Sequence, residues 1–372
     1  MRSLGLYIHI PFCQKKCNYC DFYSIGGCSS SEIDSYIDCL CEQIKREEAD
    51  YQGYVVDTIF LGGGTPSLAS PKSIDKLFSQ IRSSLLVDKN AEISIEINPG
   101  TIDKEKLQAY KRNGINRISI GLQSTKDTDL KVLGRIHTYE EFLKTYKEIR
   151  GLGFENISVD LMYGLPNQKT EDFLKILEDV VDFAPEHISA YCLKIEENTP
   201  FGRIKDTLCL PSDDEEYEAY LALCRFLESK GYLQYEISNF AKEGYRSRHN
   251  LRYWLGEEYL GLGPGAHSFI DGKRFYYDSS LDGYMIKQEK HYEEDEGSLS
   301  KMDEYVMLRL RLSDGVNGNE FYTTFGTELT KAYPTIEKFI KSGHVLVNED
   351  KYKLSTDGLF VSNYILTELF DN

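Results

Sequence analysis

The amino-acid sequence predicts an α/β fold, an open partial (βα)6 barrel followed by a small winged-helix-like C-terminal domain. Apolar strand-like runs alternate with helical patterns from residue 4 to residue 193, which is typical of βα units around a parallel sheet. Six such units are too few to close an eight-stranded barrel. Toward the end of the chain, helical patterns are followed by a hairpin pattern, which indicates the winged-helix-like unit.

The predicted strands end at clear turn signals. Pro11 stops the first apolar run, and the second runs directly into the glycine-rich stretch 62–66. Asn98-Pro99-Gly100 follows the third strand, and Gly164-Leu165-Pro166 breaks the fifth. In chain order, the six strands are predicted at 4–10, 55–61, 92–97, 117–122, 157–162 and 187–193.

The predicted helices carry capping signals. Ser31 is the expected N-cap of the first helix, Ser70-Pro71 opens the second with proline at its first position, and Asn113-Gly114 closes the third. In chain order, helices are predicted at 32–48, from 71 onward, and at 104–112, 127–133, 139–152, 171–183 and 213–230.

We divide the chain into three parts. Residues 1–235 form the partial barrel, and residues 236–297 form a barrel extension, with an added strand expected at 235–240. Residues 298–372 form the small C-terminal domain, with helices at 302–312, 318–325 and 335–342, a hairpin at 345–354 and a last helix at 357–369.

Composition narrows the partners and the compartment. The formal net charge is −17, so a nucleic-acid partner would need a local basic patch, and we expect none. Nine cysteines without a recognisable leader indicate a reducing compartment, so the protein is expected in the cytoplasm. No apolar run of about 18 residues predicts a membrane-spanning helix.

Three cysteines at C-x3-C-x2-C spacing follow the first strand: Cys13, Cys17 and Cys20. Three thiolates on a [4Fe-4S] cluster would leave one iron without a protein ligand, and an open coordination position is where a small molecule can bind and react. Two alternatives stay open at this point. One is a zinc site with His9 as fourth ligand, and the other is a redox dithiol formed by Cys17 and Cys20.

Other polar groups follow the ends of the next strands. The glycine-rich stretch 62–66 comes after the second strand, where glycine allows a backbone to approach a ligand closely. Glu96, Gln123 and Asp160 lie at or near the ends of the third, fourth and fifth strands. Because reactive groups of parallel barrels sit at the carboxyl ends of the strands, we expect all of these on one rim, beside the cysteines.

The cysteine spacing resembles that of the radical S-adenosylmethionine (SAM) superfamily, whose fold is an open partial barrel. In that superfamily the open iron binds SAM, and reductive cleavage of SAM yields a 5′-deoxyadenosyl radical. The four stretches 7–13, 62–66, 94–99 and 160–166 resemble the oxygen-independent coproporphyrinogen III oxidase group. The resemblance covers nearly the whole chain.

The resemblance implies a set of SAM contacts. Tyr7, Gly63 and Glu96 match positions that contact cluster-bound SAM in this group. Positions that hold SAM or a second SAM are matched by Tyr19, Gly64, Thr65, Gln123, Arg135 and Asp160. Glu96 could instead close the turn before Pro99, and Arg135 could form a surface ion pair.

Two features separate this chain from the true oxidases of the group. Phe22 stands where they carry a fourth cysteine, and the first cysteine is already at position 13, whereas they have a longer N-terminal extension. Both features resemble an oxidase-like branch regarded as heme chaperones, and the H-N-x-x-Y-W pattern in the stretch 248–254 is a mark of that branch. The implied partners are heme, or a related tetrapyrrole, and a recipient hemoprotein that could be membrane-bound. The resemblance also allows a homodimer.

A heme site would need an axial ligand, flat apolar walls and cations for the propionates. The stretch 248–254 offers His249 as that ligand, although a His-Asn pair often only fixes a loop, and His267 is a second candidate. The alternative function is an oxygen-independent coproporphyrinogen III oxidase, which converts two propionates to vinyls. An RNA-modifying radical SAM enzyme would need a basic surface, which the acidic composition disfavours.

Overall fold

The computed structural model describes residues 1–293 and 300–371. Its described strands belong to one large sheet, one small sheet and a short two-stranded ladder. In chain order, the strands are β1 (Arg2–Ile10), β2 (Phe12–Cys13), β3 (Ile25–Gly26), β4 (Tyr54–Gly63), β5 (Val87–Ile97), β6 (Arg117–Gln123), β7 (Ile157–Tyr163), β8 (His187–Cys192), β9 (Leu233–Gln234), β10 (Asn239–Ala241), β11 (Tyr259–Leu262), β12 (His267–Ile270), β13 (Lys273–Tyr277), β14 (Lys290–Tyr292), β15 (Val316–Asn317), β16 (Val345–Asn348) and β17 (Lys351–Leu354).

The α-helices alternate with the barrel strands and then dominate the C-terminal part. In chain order, they are α1 (Ser30–Glu47), α2 (Pro71–Ser84), α3 (Lys104–Arg112), α4 (Asp127–Leu133), α5 (Tyr139–Gly151), α6 (Thr170–Val181), α7 (Pro200–Arg203), α8 (Asp213–Ser229), α9 (Arg248–Trp254), α10 (Leu281–Ile286), α11 (Lys301–Leu310), α12 (Gly318–Phe325), α13 (Leu329–Ala332), α14 (Ile336–Lys341), α15 (Thr356–Phe360) and α16 (Ser362–Phe370). Within the described ranges, none of these helices is both long and apolar enough to cross a bilayer.

The large sheet is an open barrel, as predicted. Its strand order is β14-β13-β12-β11-β1-β4-β5-β6-β7-β8-β10-β9, so the six predicted strands are neighbours in chain order. Each of these six pairs parallel to the next. The sheet ends at β14 on one side and at β9 on the other, and it does not close on itself.

Strand alternation gives the barrel two different faces. Leu6, Ile8 and Ile10 of β1 are fully buried and belong to the hydrophobic core. The residues between them, Tyr7 and His9, point to the opposite, inner face, because successive side chains of a strand alternate sides. The inner face therefore carries the polar groups while the outer face provides the apolar core.

Helix caps follow the predicted chemistry with one shift. Ser70 caps α2, and Pro71 is its first residue, as expected. The first helix begins earlier than predicted, because Ser29 rather than Ser31 is the N-cap. Ser29 forms a capping box with Glu32, in which each side chain binds the other residue's backbone N–H, and this fixes the helix start.

Residues 239–262 form a strap that joins the two sides of the open barrel. Its first strand, β10, pairs antiparallel with β8, and its last strand, β11, pairs parallel with β1. The helix α9 lies between them. The expected single strand at 235–240 was wrong: most of this stretch is the turn between β9 and β10, which pair as a hairpin.

The domain boundaries remain predictions. The expected boundary at 235/236 falls in the turn between β9 and β10, two strands of the large sheet. The expected boundary at 297/298 lies outside the described residues.

The C-terminal part contains the predicted hairpin within a three-stranded sheet of order β15-β17-β16. The expected helix at 357–369 is divided into α15 and α16, which meet at Val361. Helices around a small antiparallel sheet agree with the winged-helix-like prediction.

Candidate functional site

The cysteine loop leaves the barrel at the carboxyl end of β1, where Pro11 ends the strand. The glycine-rich stretch after β4 packs directly against it: the Thr65 N–H donates to the Phe12 carbonyl at 2.7 Å. A Cβ on Gly64 would lie only 2.7 Å from the Phe12 carbonyl oxygen. Position 64 therefore has to be glycine for the two loops to touch.

The three thiols of this loop are free and partly exposed. The Thr65 hydroxyl lies 3.6 Å from the Cys13 sulfur, and the Arg135 guanidinium lies 3.6 Å from the Cys17 sulfur. Burial raises the pKa of the Cys20 thiol. The Thr65 hydroxyl and the Arg135 guanidinium thus lie where they can hydrogen-bond to sulfur ligands of a metal centre.

Among the residues that the structure describes, no group of three His, Cys, Asp or Glu side chains is arranged as a site for one metal ion. A zinc ion would need four ligands that converge on one point, whereas a four-iron cluster takes each thiolate at a different iron. The choice between the two kinds of site therefore rests on whether a fourth ligand is present.

His9 is not placed as a fourth ligand in this arrangement. Its Nε2 lies 3.0 Å from the Tyr23 carbonyl, which can only accept, so Nε2 carries the hydrogen. Nδ1 then accepts from the Tyr7 hydroxyl at 3.0 Å. Both ring nitrogens are engaged, which counts against the zinc alternative and orients Tyr7 on the inner face of the barrel.

Arg135 connects the cysteine loop to two strand ends. One of its terminal nitrogens donates to the Asn98 side-chain oxygen at 2.5 Å and to the Gly121 carbonyl at 2.6 Å. The Asn98 amide donates in turn to the Thr65 hydroxyl at 2.8 Å. Arg135 is thus part of a hydrogen-bond network between the strand ends and the Cys17 sulfur, and not one half of a surface ion pair.

Asn98 is a site residue that sequence reasoning missed. The Asn98-Pro99-Gly100 segment was interpreted as a turn, and asparagine is common in turns for local reasons. The only available signal was its position at the end of the third strand, directly after Glu96.

Glu96 and Asp160 are two carboxyl groups within the barrel. The Gly63 N–H donates to the Glu96 carboxylate at 3.2 Å. Burial, together with the nearby negative charge of Asp160, raises the pKa of Glu96 to about 8. Burial also raises the pKa of Asp160, although the Ser119 hydroxyl lies 3.1 Å from both of its oxygens. A cationic group arriving between them would favour ionisation of both.

Tyr19 and Gln123 complete the predicted set at this rim. Tyr19 contacts both Arg135 and Cys17, and burial raises its pKa. Gln123, the last residue of β6, is buried and has a φ of 71°, in the left-handed region that non-glycine residues rarely adopt. The pairing register between β6 and β7 shifts at the same place. Strained backbone of this kind is concentrated at functional sites.

The structure therefore brings nearly all predicted site residues to one rim or to the inner face beneath it. They are Tyr7, Cys13, Cys17, Tyr19, Cys20, Gly63, Gly64, Thr65, Glu96, Gln123, Arg135 and Asp160.

His249 lies in the helix α9, and its ring is stacked with that of Tyr7, with centroids 6.4 Å apart. Its ring Nδ1 is 2.9 Å from the Thr58 hydroxyl, and its ring Nε2 is 2.9 Å from the Tyr253 hydroxyl. The backbone N–H of His249 donates to the Glu92 carboxylate at 3.0 Å. The ring is buried against Phe60, with centroids 5.3 Å apart. Burial lowers its pKa to about 3. Neither nitrogen faces an open space, so this geometry counts against His249 as a heme ligand.

Comparisons with known proteins identify the family of this chain. Residues 7–180 match the Radical SAM superfamily, and residues 299–361 match the HemN C-terminal domain. The heme chaperone HemW of Escherichia coli K12 is 38% identical over 99% of this chain and 98% of its own length. The heme chaperone HemW of Bacillus subtilis 168 is 34% identical, over 96% and 97%.

The solved structure of coproporphyrinogen III oxidase (HemN) from Escherichia coli, a radical SAM enzyme, superposes with a TM-score of 0.85. It is 23% identical and covers 99% of this chain and 90% of its own, so it shows the common fold. The radical SAM domain supports a [4Fe-4S] cluster and SAM as cofactors. Because relatives above 30% identity cover it from end to end, this chain belongs to the HemW family of HemN-like radical SAM proteins.

Proposed function

We propose that this protein binds heme and transfers it to hemoproteins, and that a [4Fe-4S] cluster with SAM takes part in that task. One observation carries the proposal. The radical SAM motifs occupy one rim of a chain that is covered from end to end by relatives named heme chaperones, and Phe22 stands in place of a fourth cysteine.

The cluster is proposed to bind to Cys13, Cys17 and Cys20. The donors from Thr65 and Arg135 support this assignment, because hydrogen bonds to thiolate sulfurs stabilise their charge. When bound, a cluster with one open iron supplies an electron and a coordination position for SAM. The protein's own part is to hold the thiolates apart and to balance their charge.

The SAM site is proposed along the inner face of the rim. Glu96, hydrogen-bonded to the Gly63 N–H, is placed to accept from a ligand ammonium group, and Tyr7 lies on the neighbouring inner face. The remaining proposed contacts are Tyr19, Gly64, Thr65, Gln123, Arg135 and Asp160. With a pKa of about 8, Glu96 carries its proton at neutral pH until a cation arrives and favours its charged form.

The wider biology follows from the same assignment. We expect a cytoplasmic protein that delivers heme to a hemoprotein. If that hemoprotein is bound to a membrane, contact with it would bring this protein to the membrane. The proposal also allows the protein to form a homodimer. We also propose that the chain is divided into three parts, with boundaries at 235/236 and 297/298.

The test separates heme binding from porphyrinogen oxidation. Cluster-reconstituted protein is incubated anaerobically with SAM, a strong reductant and coproporphyrinogen III, and a parallel sample is titrated with heme and then mixed with an apo-hemoprotein. Heme binding and transfer without protoporphyrinogen supports the proposal. Protoporphyrinogen formed in step with 5′-deoxyadenosine would instead establish the oxidase function.

A further inference from the structure

We propose that His267, on the open edge of the large sheet, is the axial ligand of the bound heme. This inference rests on the proposed heme-binding function. His267 is the first residue of β12, and 55% of its side-chain surface is exposed.

A survey of the seven histidines supports the choice. Four rings are buried and hydrogen-bonded within the barrel: His9, His137, His187 and His249. His344 precedes β16 of the small C-terminal sheet, and its Nδ1 lies 2.8 Å from the Ser342 hydroxyl and not beside a carboxylate. That leaves His267 and His291, which lie close together on the same sheet edge.

His267 is oriented as ligating histidines usually are. Its Nδ1 lies 2.8 Å from a carboxylate oxygen of Glu293. A carboxylate can only accept, so Nδ1 carries the hydrogen, and the neutral ring presents the Nε2 lone pair. A carboxylate that holds one ring nitrogen fixes the tautomer and raises the basicity of the other, which strengthens binding to a metal.

Aromatic neighbours hold the ring in place. His267 is directly opposite Tyr276 on β13, and Tyr276 is directly opposite His291 on β14. The ring centroids are 5.1 Å and 5.4 Å apart, with both pairs stacked at 28°. We call His267, Tyr276 and His291 the histidine ladder. It provides a ligand whose ring orientation is fixed by stacking, which is one requirement of a heme site.

The histidine ladder lies on the same face of the sheet as the proposed SAM site. Tyr7 of β1 is opposite Gly261 of β11, and Tyr259, two residues before Gly261, is opposite Phe269 of β12. Because alternate residues of a strand share a face, His267 shares the face of Phe269 and therefore of Tyr7. The ladder continues the inner face of the barrel onto its open edge, where a recipient protein can reach a bound heme.

The experiment is a heme titration of the cluster-reconstituted full-length protein, followed by Soret absorbance and by electron paramagnetic resonance of the ferric form. His267→Ala should lose the imidazole-ligated signature and weaken binding at least about tenfold, and imidazole added to His267→Gly should restore the signature. Glu293→Gln should keep the ligand but weaken binding by roughly 10–100-fold, because it removes the carboxylate behind it. His344→Ala is the matched control and should leave both readouts unchanged.

The outcomes separate this inference from the function on which it rests. Wild-type protein that binds heme while His267→Ala keeps the same spectrum and affinity would overturn the His267 assignment and leave heme binding intact. Loss of the signature in His249→Ala but not in His267→Ala would do the same. Wild-type protein that binds no heme would overturn both. Circular dichroism of each variant shows that a change in heme binding is not a loss of folding.

Discussion

The two ends of the barrel differ in how their polar groups are satisfied. At the carboxyl ends of the strands, three thiols stay free and partly exposed, and Glu96 is desolvated beside a second carboxyl group. Toward the amino ends, α9 closes the barrel, and both ring nitrogens of its buried His249 and the two terminal nitrogens of its buried Arg252 lie near partners. Buried polar groups that have hydrogen-bond or ion-pair partners stabilise a fold. A buried polar group that lacks some of its partners can instead bind a ligand.

The largest effect is expected from the removal of one thiol. Cys17→Ala should abolish the cluster absorbance of anaerobically reconstituted protein, because two thiolates cannot hold the cluster in place of three. The thermal midpoint of the cluster-free protein should hardly change, since Cys17 is partly exposed. Visible absorbance and iron content are the measurements.

Cys224→Ala provides the matched control for that variant. Cys224 is buried in α8, away from the cysteine loop, and should leave the cluster spectrum intact. A four-iron spectrum of full intensity in Cys17→Ala would refute the cluster assignment.

At the closed end, Arg252→Ala should cost stability. The Arg252 side chain is 3% exposed and pairs with Asp57 and, at 3.3 Å, with Glu257. Removing it leaves Asp57 without its buried partner, so the free energy of unfolding should fall by about 3–5 kcal/mol. Urea denaturation measures this change. Arg112→Ala breaks an exposed ion pair with Asp75 and should cost at most about 1 kcal/mol. Equal losses of stability in Arg252→Ala and Arg112→Ala would show that the buried pair matters no more than the exposed one.

His249→Ala should destabilise the fold by about 2–4 kcal/mol, because it opens a cavity and leaves the Thr58 and Tyr253 hydroxyls without their partner. The heme spectrum should not change.

His249 should also make stability depend on pH. Its folded-state pKa of about 3 lies below the unfolded value of 6.5, so its contribution to the free energy of unfolding is present above pH 6.5 and is lost as the pH falls toward 3. Comparing the pH dependence of unfolding in His249→Gln and wild type tests that window.

Glu96→Gln should change the slope of stability against pH. The folded-state pKa of about 8 lies above the unfolded value of 4.5, so wild-type stability should decrease between pH 4.5 and 8, where the unfolded chain ionises this group and the folded protein does not. The slope from this one group is at most about 1.4 kcal/mol per pH unit, and Glu96→Gln should remove it. The same variant should weaken SAM binding. If Glu96→Gln keeps the wild-type slope, the pH dependence comes from a group other than Glu96.

The sequence predicts the six parallel strands and their rim because the signals are local. Strand periodicity, Pro11, the glycine-rich stretch and the strand-end carboxylates all depend on neighbouring residues. It also predicts that Cys17 and Glu96 meet at one edge, because parallel strands bring their carboxyl ends together. The outcome confirms the partial barrel and the winged-helix-like C-terminal fold.

Other features depend on contacts between distant segments. Nothing local shows that α9 enters the amino end of the barrel, where Arg252 reaches Asp57, 195 residues away in the chain. The H-N-x-x-Y-W pattern therefore suggested a ligand, whereas the structure shows His249 hydrogen-bonded within the fold. Likewise, Glu293 meets His267 only because β12, β13 and β14 fold side by side.

The strap has a consequence for synthesis of the protein on the ribosome. β1 and β8, the strands at the two sides of the six-stranded parallel unit, obtain their outer neighbours from β11 and β10. At about 5–20 residues per second, Leu262 is added roughly 4–14 s after Cys192. β1 presents an unpaired edge throughout that interval, and β8 does so until β10 has been made, and unpaired edges invite pairing with other chains. Newly made protein should therefore depend on cellular folding factors for longer than its stability suggests.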